Sequence, residues 1–509
     1  MQIVGRIIKT STKIGQKRSL KKGISINNQL KAFNKLLFRA RKTNFGTSHD
    51  FEQILEDENP FLSFQNNVPM MDYDQFYDTW LHRTIDGVRD NTWPGKTTYF
   101  ALSSGTTGSP SKRIPVTQQM IRSFQKTSLK QMTSLADLNL PPKFYQKSIL
   151  IVGGSTELVH VGAHVEGDLS GILKKHTSWI ASPFTKPGSK TTKIKDWNKK
   201  LDIMVEAAPK WDIGIMAGIP SWCIMLIERI IARYELNSIH DIWPNFKVYV
   251  HGGVFIDPYV KKLERLLGEE VYLLDTYLAS EGYFAYQKTP KKQGMQLLLN
   301  SGIFYEFVPF NSDYFNADGS LINRHKAYTL ANVQPNIDYA LIISTNAGLW
   351  RYIIGDLVQF TDVEQCEIKI TGRIKQYLSL VGEHLSLDNI QEAIIAVGKT
   401  LDLEFEEYCV YPDSATQKHC WTLGVNEDVD MSKINELIDK TLAEKNDDYA
   451  SARKYSLGKP EMNCVPTDYF YEFMEKLGKL GSQNKFPRVM NKHQATQWQQ
   501  FLKSKEVKS

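Results

Sequence analysis

The chain contains 509 residues, of which 42% are hydrophobic, 23% are charged and 11% are aromatic. This composition is typical of folded proteins, and it excludes a disordered chain, a collagen-like chain and a small disulfide-rich scaffold. The length predicts about three domains. The net charge is only +6, with basic residues crowded between positions 9 and 22. Because that stretch lacks the aromatic residues that stack on bases, we expect a solvated, partly frayed N-terminus and no nucleic-acid partner.

The cysteine content indicates a reducing compartment. There are five cysteines, an odd number, and no CxxC pair occurs, which argues against a disulfide framework and against a zinc ribbon. The sequence contains no apolar run of signal-peptide length at its start and no apolar stretch of membrane-spanning length. We therefore expect a soluble, cytoplasmic protein with no membrane partner; its oligomeric state does not follow from the sequence.

The first three quarters of the chain show the pattern of an α/β domain. Residues 28–56 carry apolar residues at helical spacing, and this helix is predicted to end at Gly46. Strands are then predicted at 97–102, 147–154, 247–254, 270–278, 338–344 and 357–363, and helices at 116–136, 194–207, 219–235 and 257–267. This alternation predicts an α/β fold with a substantial sheet. The stretch 295–363 is nearly all strands, so we expect a β-subdomain within it.

A second, smaller unit is predicted at the C-terminal end. After residues 371–375 the sequence predicts a helix with buried Ile390 and Ile394, two alternating strands, helices at 431–444 and 468–479, and a final helix with a frayed, charged end. The predicted domains are therefore an N-terminal domain, 1–370, and a small α+β C-terminal domain, 371–509, joined by a hinge near 371–375.

The strongest local signal for chemistry is SSGTTGSPSKRIP, residues 103–115. Hydroxyl groups, two glycines and Lys112 lie close together, after a predicted strand and before the predicted helix 116–136. Glycines allow the backbone to approach an anion, and clustered N–H and hydroxyl groups donate to phosphate oxygens. The spacing differs from that of a Walker A loop. The segment predicts a nucleotide-phosphate loop; a plain solvent-exposed Ser/Gly loop is the alternative.

A second cluster of polar residues does not predict a metal site. Glu157, His160, His164 and Glu166 lie within ten residues, and the two histidines are four apart. That spacing binds a metal only on a helix. The surrounding sequence is glycine-rich and β-like and contains no HExxH motif, so we expect no metal there.

Four segments resemble the motifs of the acyl-adenylate-forming superfamily, which includes acyl-CoA ligases and peptide-synthetase adenylation domains. They are SSGTTGSPSK, YLASE (277–281, with Ser280 in place of a threonine), LWRYIIGDLV (349–358) and TGRIKQYLSLVGEHL (371–385), and they occur in the superfamily's order. Further segments resemble the Gretchen Hagen-type acyl acid amido synthetases, which are auxin- and jasmonate-conjugating plant enzymes with bacterial relatives; we expect a bacterial member. These segments are KLLFRARKTNFG, VPMMDYDQF, IWPNFKVYVHGG, GIFYEFVP and TNAGLWRYIIGD.

The resemblance implies an activity, ATP-dependent amide formation. ATP and a carboxylic acid form an acyl-adenylate with release of pyrophosphate, and the amine of an amino acid then attacks it. The C-terminal domain would act as a mobile cap that rotates between the two steps. An acyl-CoA or carrier-protein ligase is the alternative, and a non-enzymatic ATP-dependent binding protein is a third possibility. The sequence after the hinge departs from the plant pattern, which bears on the acceptor and the acyl acid more than on adenylation.

The resemblance also implies roles for particular residues. The phosphates would contact the loop residues Ser103, Ser104, Gly105, Thr106, Thr107 and Lys112. Glu281 would hold Mg²⁺, and Tyr277 and Ser280 belong to the same motif. Tyr277 would lie against the adenine, with a core tyrosine as the alternative.

The remaining assignments concern the ribose, the catalytic lysine and the acid. Asp356 would bind the ribose hydroxyls with help from Arg373, unless the two form an ordinary salt bridge. Lys485, in a Lys-x-Pro-Arg segment, would act on the attacking carboxylate and the α-phosphate. Helices 116–136 and 219–235 would line the acid pocket, with the side chains Met120, Phe124, Trp222 and Met225.

Overall fold

The structure is a computed structural model that describes residues 2–21, 26–103, 112–176, 184–290, 294–316, 319–374, 378, 380, 383, 385–481 and 485–506. The helices before the last sheet are α1 (Gln2–Lys21), α2 (Asn27–Ala40), α3 (Asn44–Ser48), α4 (Phe51–Glu56), α5 (Pro60–Asn67), α6 (Tyr73–Phe76), α7 (His82–Ile85), α8 (Gln118–Ser134), α9 (Leu169–Lys175), α10 (Ser189–Thr192), α11 (Trp197–Ala207), α12 (Pro220–Tyr234) and α13 (Val260–Leu266). The C-terminal helices are α14 (Leu387–Leu401), α15 (Met431–Lys445), α16 (Asp447–Tyr455), α17 (Asp468–Lys476) and α18 (Lys492–Glu506).

The strands fall into three sheets. The strands are β1 (Tyr99–Ser103), β2 (Lys112–Val116), β3 (Ser148–Val152), β4 (Val159–Val161), β5 (His164–Gly167), β6 (Thr185–Lys186), β7 (Ile213–Gly218), β8 (Val248–Gly252), β9 (Tyr272–Ala279), β10 (Gly282–Tyr286), β11 (Met295–Leu297), β12 (Ile303–Pro309), β13 (Asp338–Thr345), β14 (Tyr352–Asp362), β15 (Glu367–Arg373), β16 (Tyr408–Asp413), β17 (Lys418–Gly424) and β18 (Glu461–Val465).

The largest sheet is half parallel and half antiparallel. Within the described residues it has eleven strands in the order β12-β13-β14-β15-β11-β10-β9-β8-β7-β3-β6. The neighbours from β6 to β9 are parallel, and those from β9 to β12 are antiparallel. Helices α11, α12 and α13 pack their apolar side chains on the parallel half. The predicted α/β fold is confirmed, and the antiparallel half explains the strand-rich stretch 295–363.

Two smaller sheets complete the architecture. One has the order β2-β1-β5-β4 and includes the paired strands β1 and β2, which flank the predicted phosphate loop in the sequence. The other has the order β16-β17-β18 and packs with α14 and α15 around its own apolar core. The C-terminal helices and strands that the sequence predicted are present, together with α16 and β18, which it did not predict.

Two expectations about the N-terminal part were wrong. The segment expected to be frayed is the helix α1, whose Lys9 ammonium donates to the carbonyl of Leu140 at 2.6 Å. The helix predicted to run to Gly46 ends at Ala40. The cause is Thr43: its hydroxyl donates to the carbonyl of Ala40 at 2.7 Å and accepts the N–H of Gly46 at 3.0 Å. One threonine thus closes α2 and caps α3.

No helix in the described part of the chain is long and apolar enough to cross a membrane.

A buried ion pair joins the N-terminal helices to the large sheet. Arg351 and Glu306 are 0% and 1% exposed, and a guanidinium nitrogen lies 2.9 Å from the carboxylate. The Nε of Arg351 donates to the other carboxylate oxygen of Glu306 at 3.0 Å. The remaining donors bind the carbonyls of Gln65, Val68 and His325 at 3.1, 2.7 and 2.9 Å. All hydrogen-bonding capacity of the guanidinium is therefore used inside the protein.

We expect Arg351→Met to destabilise the protein by about 3–5 kcal/mol, because it leaves the Glu306 charge buried without a partner. Urea unfolding, followed by circular dichroism, measures the change. The matched control is Arg233→Met, since Arg233 forms an exposed ion pair with Glu206 at 3.0 Å; exposed pairs contribute about 0–1 kcal/mol. Equal unfolding midpoints for the two variants would contradict a structural role for the buried pair.

Candidate active site

The centre of the site is a carboxylate held by two strands of the large sheet. Asp356 on β14 and Arg373 on β15 are direct cross-strand partners. The Nε of Arg373 donates to one carboxylate oxygen at 2.6 Å, and the Tyr277 hydroxyl donates to the other at 2.6 Å. The carboxylate raises the pKa of Arg373 further above its usual range. Each carboxylate oxygen keeps capacity for a further hydrogen bond, so Asp356 can accept ribose hydroxyls while it stays fixed.

The sequence left two alternatives open: a salt bridge between Asp356 and Arg373, and Tyr277 as a core residue. The structure shows both features. Asp356 and Arg373 form an ion pair at 2.6 Å, which is compatible with a ribose site, since the pair leaves acceptor capacity on the carboxylate. Tyr277 is a buried residue of the apolar core, and its ring packs 4.8 Å from that of Phe284. Its contact with an adenine stays a prediction, and the structure adds a positioning role through its hydroxyl group.

A second carboxylate lies at the tight connection between β9 and β10. Ser280 and Glu281 form this two-residue connection and are 6% and 7% exposed. Burial raises the pKa of the Glu281 carboxyl to about 6, and the positive charge of Lys112 opposes this shift. A single buried carboxylate of this kind would fit Mg²⁺, which needs few protein carboxylates when phosphate oxygens supply its other ligands.

The predicted phosphate loop is flanked in the sequence by two paired strands, β1 and β2. Ser103 at the end of β1 pairs directly with Lys112 at the start of β2. The sequence placed this loop directly before a helix, which was wrong: β2 intervenes, and α8 begins at Gln118. The predicted phosphate contacts Ser104, Gly105, Thr106 and Thr107 lie outside the described residues. The Lys112 ammonium lies 5.2 Å from the centre of the Tyr73 ring, whose hydroxyl accepts the N–H of Arg113 at 2.9 Å.

Lys485 joins this site from the C-terminal part of the chain. Its ammonium donates to the carbonyl of Gly253, which follows β8. A Cβ at Gly253 would lie 2.9 Å from the lysine ammonium, and the φ angle there is 87°, so this close approach favours glycine. The side chain is exposed to solvent. The surrounding protein and the charge of Arg373 lower the pKa of Lys485 to about 8, although Asp356 opposes them.

The predicted residues thus form one group, which we call the charged cluster: Lys112, Glu281, Asp356, Arg373 and Lys485. Each member is close enough to influence the protonation of another. Three cations and two carboxylates therefore lie together in this cluster. This combination can bind a polyphosphate and a metal ion together and can stabilise negative charge that develops between them.

Sequence reasoning missed two residues beside this cluster. Asp275 on β9 and His251 on β8 are cross-strand partners, and a ring nitrogen lies 3.5 Å from a carboxylate oxygen. Burial raises the pKa of Asp275 to about 7 and lowers that of His251 to about 4. The signal in the sequence was an aspartate within the otherwise apolar run EVYLLDTYL.

Two cavities flank the charged cluster. One lies beside Glu281 and is lined by Met120, Ser123, Phe124, Thr127, Gly282, Tyr283, Ser301, Ile303 and Asn346. The other lies beside Lys485 and includes Trp222. The predicted acid-pocket residues Met120 and Phe124 therefore share the first cavity. Trp222 lies at the second, so α8 and α12 contribute to different cavities, and their joint role in binding the acid stays a prediction.

The His/Glu cluster of the sequence is a hairpin, as its composition predicted. Strands β4 and β5 pair antiparallel, with His160 opposite Val165. Glu166 forms an ion pair with Arg113 at 2.7 Å and also lies 3.3 Å from a ring nitrogen of His164. Among the residues that the structure describes, no group of three or more His, Cys, Asp or Glu side chains converges as a metal site.

Comparison with known proteins agrees with this geometry. Three domain models match in order: the GH3 family N-terminal domain at residues 22–206, the central domain at 296–373 and the C-terminal domain at 388–494. The jasmonoyl-L-amino acid synthetase JAR4 of Nicotiana attenuata is 22% identical over 525 aligned positions, which cover 88% of this chain and 89% of that protein.

Other relatives match over shorter regions or through the fold. The indole-3-acetic acid-amido synthetase GH3.2 of Arabidopsis thaliana is 29% identical, but the match spans only 31% of this chain and 30% of that protein. The solved structure of the GH3.15 acyl acid amido synthetase superposes with a TM-score of 0.75 at 16% identity, covering 99% of this chain and 96% of that one. At this identity the likeness establishes a shared fold. The ordered matches of all three domains show that the chain belongs to the GH3 family.

Proposed function

We propose that this protein is an ATP-dependent acyl acid amido synthetase. It adenylates a small carboxylic acid with release of pyrophosphate and then joins the acyl group to the amine of an amino acid. The observation that carries this proposal is the position of Lys485, which reaches from the C-terminal part of the chain into the charged cluster beside Asp356 and Arg373. Membership of the GH3 family supports the same reaction.

The charged cluster suits the first half-reaction. A carboxylate oxygen of the acid attacks the α-phosphorus of ATP, and the bond to pyrophosphate breaks, so negative charge grows around the α-phosphate. Lys485 is placed to stabilise that charge, and Lys112, with the loop that it borders, would bind the phosphates. Asp356 would accept the ribose hydroxyls. Glu281 would hold Mg²⁺, which neutralises charge on the phosphates when bound.

The second half-reaction needs Lys485 to leave. The amine attacks the acyl carbon, AMP departs with the electrons of the acyl–phosphate bond, and the nitrogen loses a proton. We propose that the N-terminal and C-terminal domains act as separate bodies and that the chain pivots at the end of the segment 371–375, since residues 371–373 still belong to β15 of the large sheet; residues 371–374 of this segment are described. This is supported by the end of β15 at Arg373, after which the chain leaves the large sheet. Such motion also excludes water from a hydrolysable intermediate.

The cavity beside Glu281 is the proposed acid pocket. Four of its residues, Met120, Ser123, Phe124 and Thr127, come from α8 and lie on one helix face, because their spacing is i, i+3, i+4 and i+7. Their mixture of apolar and hydroxyl side chains suits a compact acid whose tail carries no charge, since burying an unpaired charge is costly.

A screen of carboxylic acids tests the proposal directly. Purified protein is incubated with ATP, Mg²⁺ and single acids, and release of pyrophosphate is measured. For each active acid, an amino-acid mixture or coenzyme A is then added to the reaction, and the products are identified by mass spectrometry. Amide products support the proposal. Thioester products would replace it with acyl-CoA ligation, and the absence of acid-dependent pyrophosphate release would reject adenylation.

We expect Asp356→Asn to weaken ATP binding, since the amide loses the charge that accepts the ribose hydroxyls. Hydrogen bonds to charged groups contribute about 1.5–3 kcal/mol each, so the dissociation constant should rise at least tenfold. Isothermal titration calorimetry measures it. Asp362→Asn, further along β14, is the matched control. An unchanged affinity in a folded Asp356→Asn protein would remove Asp356 from the nucleotide site.

Glu281→Gln should raise the Mg²⁺ concentration that half-maximal pyrophosphate release requires, because glutamine keeps the shape of the side chain but loses the anion that Mg²⁺ prefers. The measurement is a Mg²⁺ titration at saturating ATP. Glu436→Gln, an exposed substitution on α15, provides the control. Identical titrations for the two variants, or full turnover in excess chelator, would be inconsistent with a metal role for Glu281.

Lys485→Ala should separate the two half-reactions. Removal of one preorganised donor costs about 10²–10³ in rate, so acid-dependent ATP–pyrophosphate exchange should fall by that factor. Amide formation from chemically made acyl-adenylate should continue near the wild-type rate. Lys503→Ala, an exposed lysine of α18, should change neither step. Equal loss of both half-reactions in Lys485→Ala would show that the lysine is structural.

A further inference from the structure

The segment that carries Lys485 is anchored to the large domain on both sides of the lysine. Arg488 contacts Tyr259, which precedes α13, and Gly481 lies against Trp197 of α11. We propose that Arg488 and Gly481 are positioning residues that hold Lys485 in the adenylation orientation, with Tyr259 and Trp197 as their docking points. This inference rests on the proposed function and adds to it the means by which the lysine is held.

The anchor after Lys485 is a buried ion pair between Arg488 and Glu407, and the Tyr259 hydroxyl forms hydrogen bonds to both side chains. Arg488 lies 2.8 Å from Glu407, and their side chains are only 12% and 4% exposed. The guanidinium donates to the Tyr259 hydroxyl at 2.9 Å, and that hydroxyl donates to Glu407 at 3.0 Å. Further donors of Arg488 bind the carbonyls of Glu406 and Tyr408 at 2.9 and 3.2 Å. The arginine is therefore fixed in one orientation only three residues from Lys485.

This anchor can open without separating charges. Arg488 and Glu407 both belong to the C-terminal part of the chain and remain paired when it moves. At this anchor, rotation breaks the two hydrogen bonds made by Tyr259, while Tyr471 still donates to Glu407 at 3.3 Å. A buried charge without its partner is strongly unfavourable. Because Arg488 and Glu407 stay paired, the C-terminal domain can bind to the large domain and separate from it in each turnover without that cost.

The anchor before Lys485 depends on a glycine. Gly481 has a φ angle of 82°, and a Cβ at this position would lie 2.3–2.6 Å from three ring carbons of Trp197. Any side chain there would push the segment away from α11, and the backbone conformation would also be strained. Gly481 therefore allows the backbone to pack closely against the Trp197 ring, four positions before Lys485.

Other ion pairs also connect the two parts, and the one between Lys262 and Glu406, at 3.0 Å, is largely buried as well. The ion pair between Lys261 and Asp402, at 2.7 Å, is different, because its side chains are 45% and 94% exposed. Water and salt screen such a pair, so it contributes little to a defined geometry. It therefore provides a matched control for the buried anchor on the same interface.

The first arm of the test uses Tyr259→Phe, which removes only the bridging hydroxyl. We expect acid-dependent ATP–pyrophosphate exchange to fall about tenfold, in line with the loss of a hydrogen bond to a charged group. Amide formation from supplied acyl-adenylate should stay within about twofold of wild type. Lys261→Ala should leave both rates unchanged. Gly481→Ala should reproduce the Tyr259→Phe pattern, and equal slowing of both half-reactions in Tyr259→Phe would overturn the proposal.

The second arm asks whether the hydroxyl acts through the lysine. In a Lys485→Ala background, Tyr259→Phe should produce no further loss of exchange, because no lysine remains to be positioned. A full additional tenfold loss would mean that Tyr259 acts independently of Lys485, and the positioning role would be rejected.

The third arm does not need catalysis. Competitive labelling with an acylating reagent, read by peptide mass spectrometry over a range of pH, reports the pKa of Lys485. It should be about 8 in the wild type and should rise in Tyr259→Phe towards the ordinary lysine value of about 10.4. Identical values would overturn the inference. If the wild type exchanged pyrophosphate with no acid, the proposed function would fail, while this labelling would still decide whether Tyr259 positions Lys485.

Discussion

The buried guanidinium of Arg351 is the interaction on which the placement of the site depends. It unites segments that are distant in sequence: the end of α5 through Gln65 and Val68, the loop at His325, and β12 through Glu306. Arg351 immediately precedes β14, the strand that carries Asp356. Because the guanidinium binds all of these segments at once, the start of β14 is fixed against the helical layer, and the carboxylate of the site is fixed with it.

The sequence was most informative where local pattern and structure coincide. The parallel strands β3, β8 and β9 and the helices α8, α11 and α12 were predicted within a few residues, because each is a long apolar segment with clear periodicity. The strand pair that flanks the predicted phosphate loop in the sequence was missed, because β2 is short and contains Pro115, which weakens any strand signal. The end of α2 was misplaced because the decisive hydrogen bonds belong to one threonine, Thr43.

The site itself was predicted by resemblance rather than by local pattern. Lys485 and Gly253 are 232 positions apart, and no periodicity in the sequence relates them. Asp275 and His251 illustrate the opposite case: both lie in predicted strands, yet their proximity depends on register between β8 and β9. The anchoring role of Gly481 could not be predicted from the sequence either. A glycine is needed there because the ring of Trp197, nearly three hundred residues earlier in the chain, lies so close.

The lining of the cavity beside Glu281 has parts of different kinds. One part of its lining, from Glu281 to Tyr283, is continuous with the proposed metal ligand, whereas another part is a single face of α8, and Ser301, Ile303 and Asn346 complete the lining. Substitutions in the first part would disturb the chemistry common to every substrate. Those on α8 would change only the shape and polarity presented to the acid. The preference for particular acids can therefore change, during evolution or by design, through substitutions on one face of α8. The residues that carry out adenylation can stay the same.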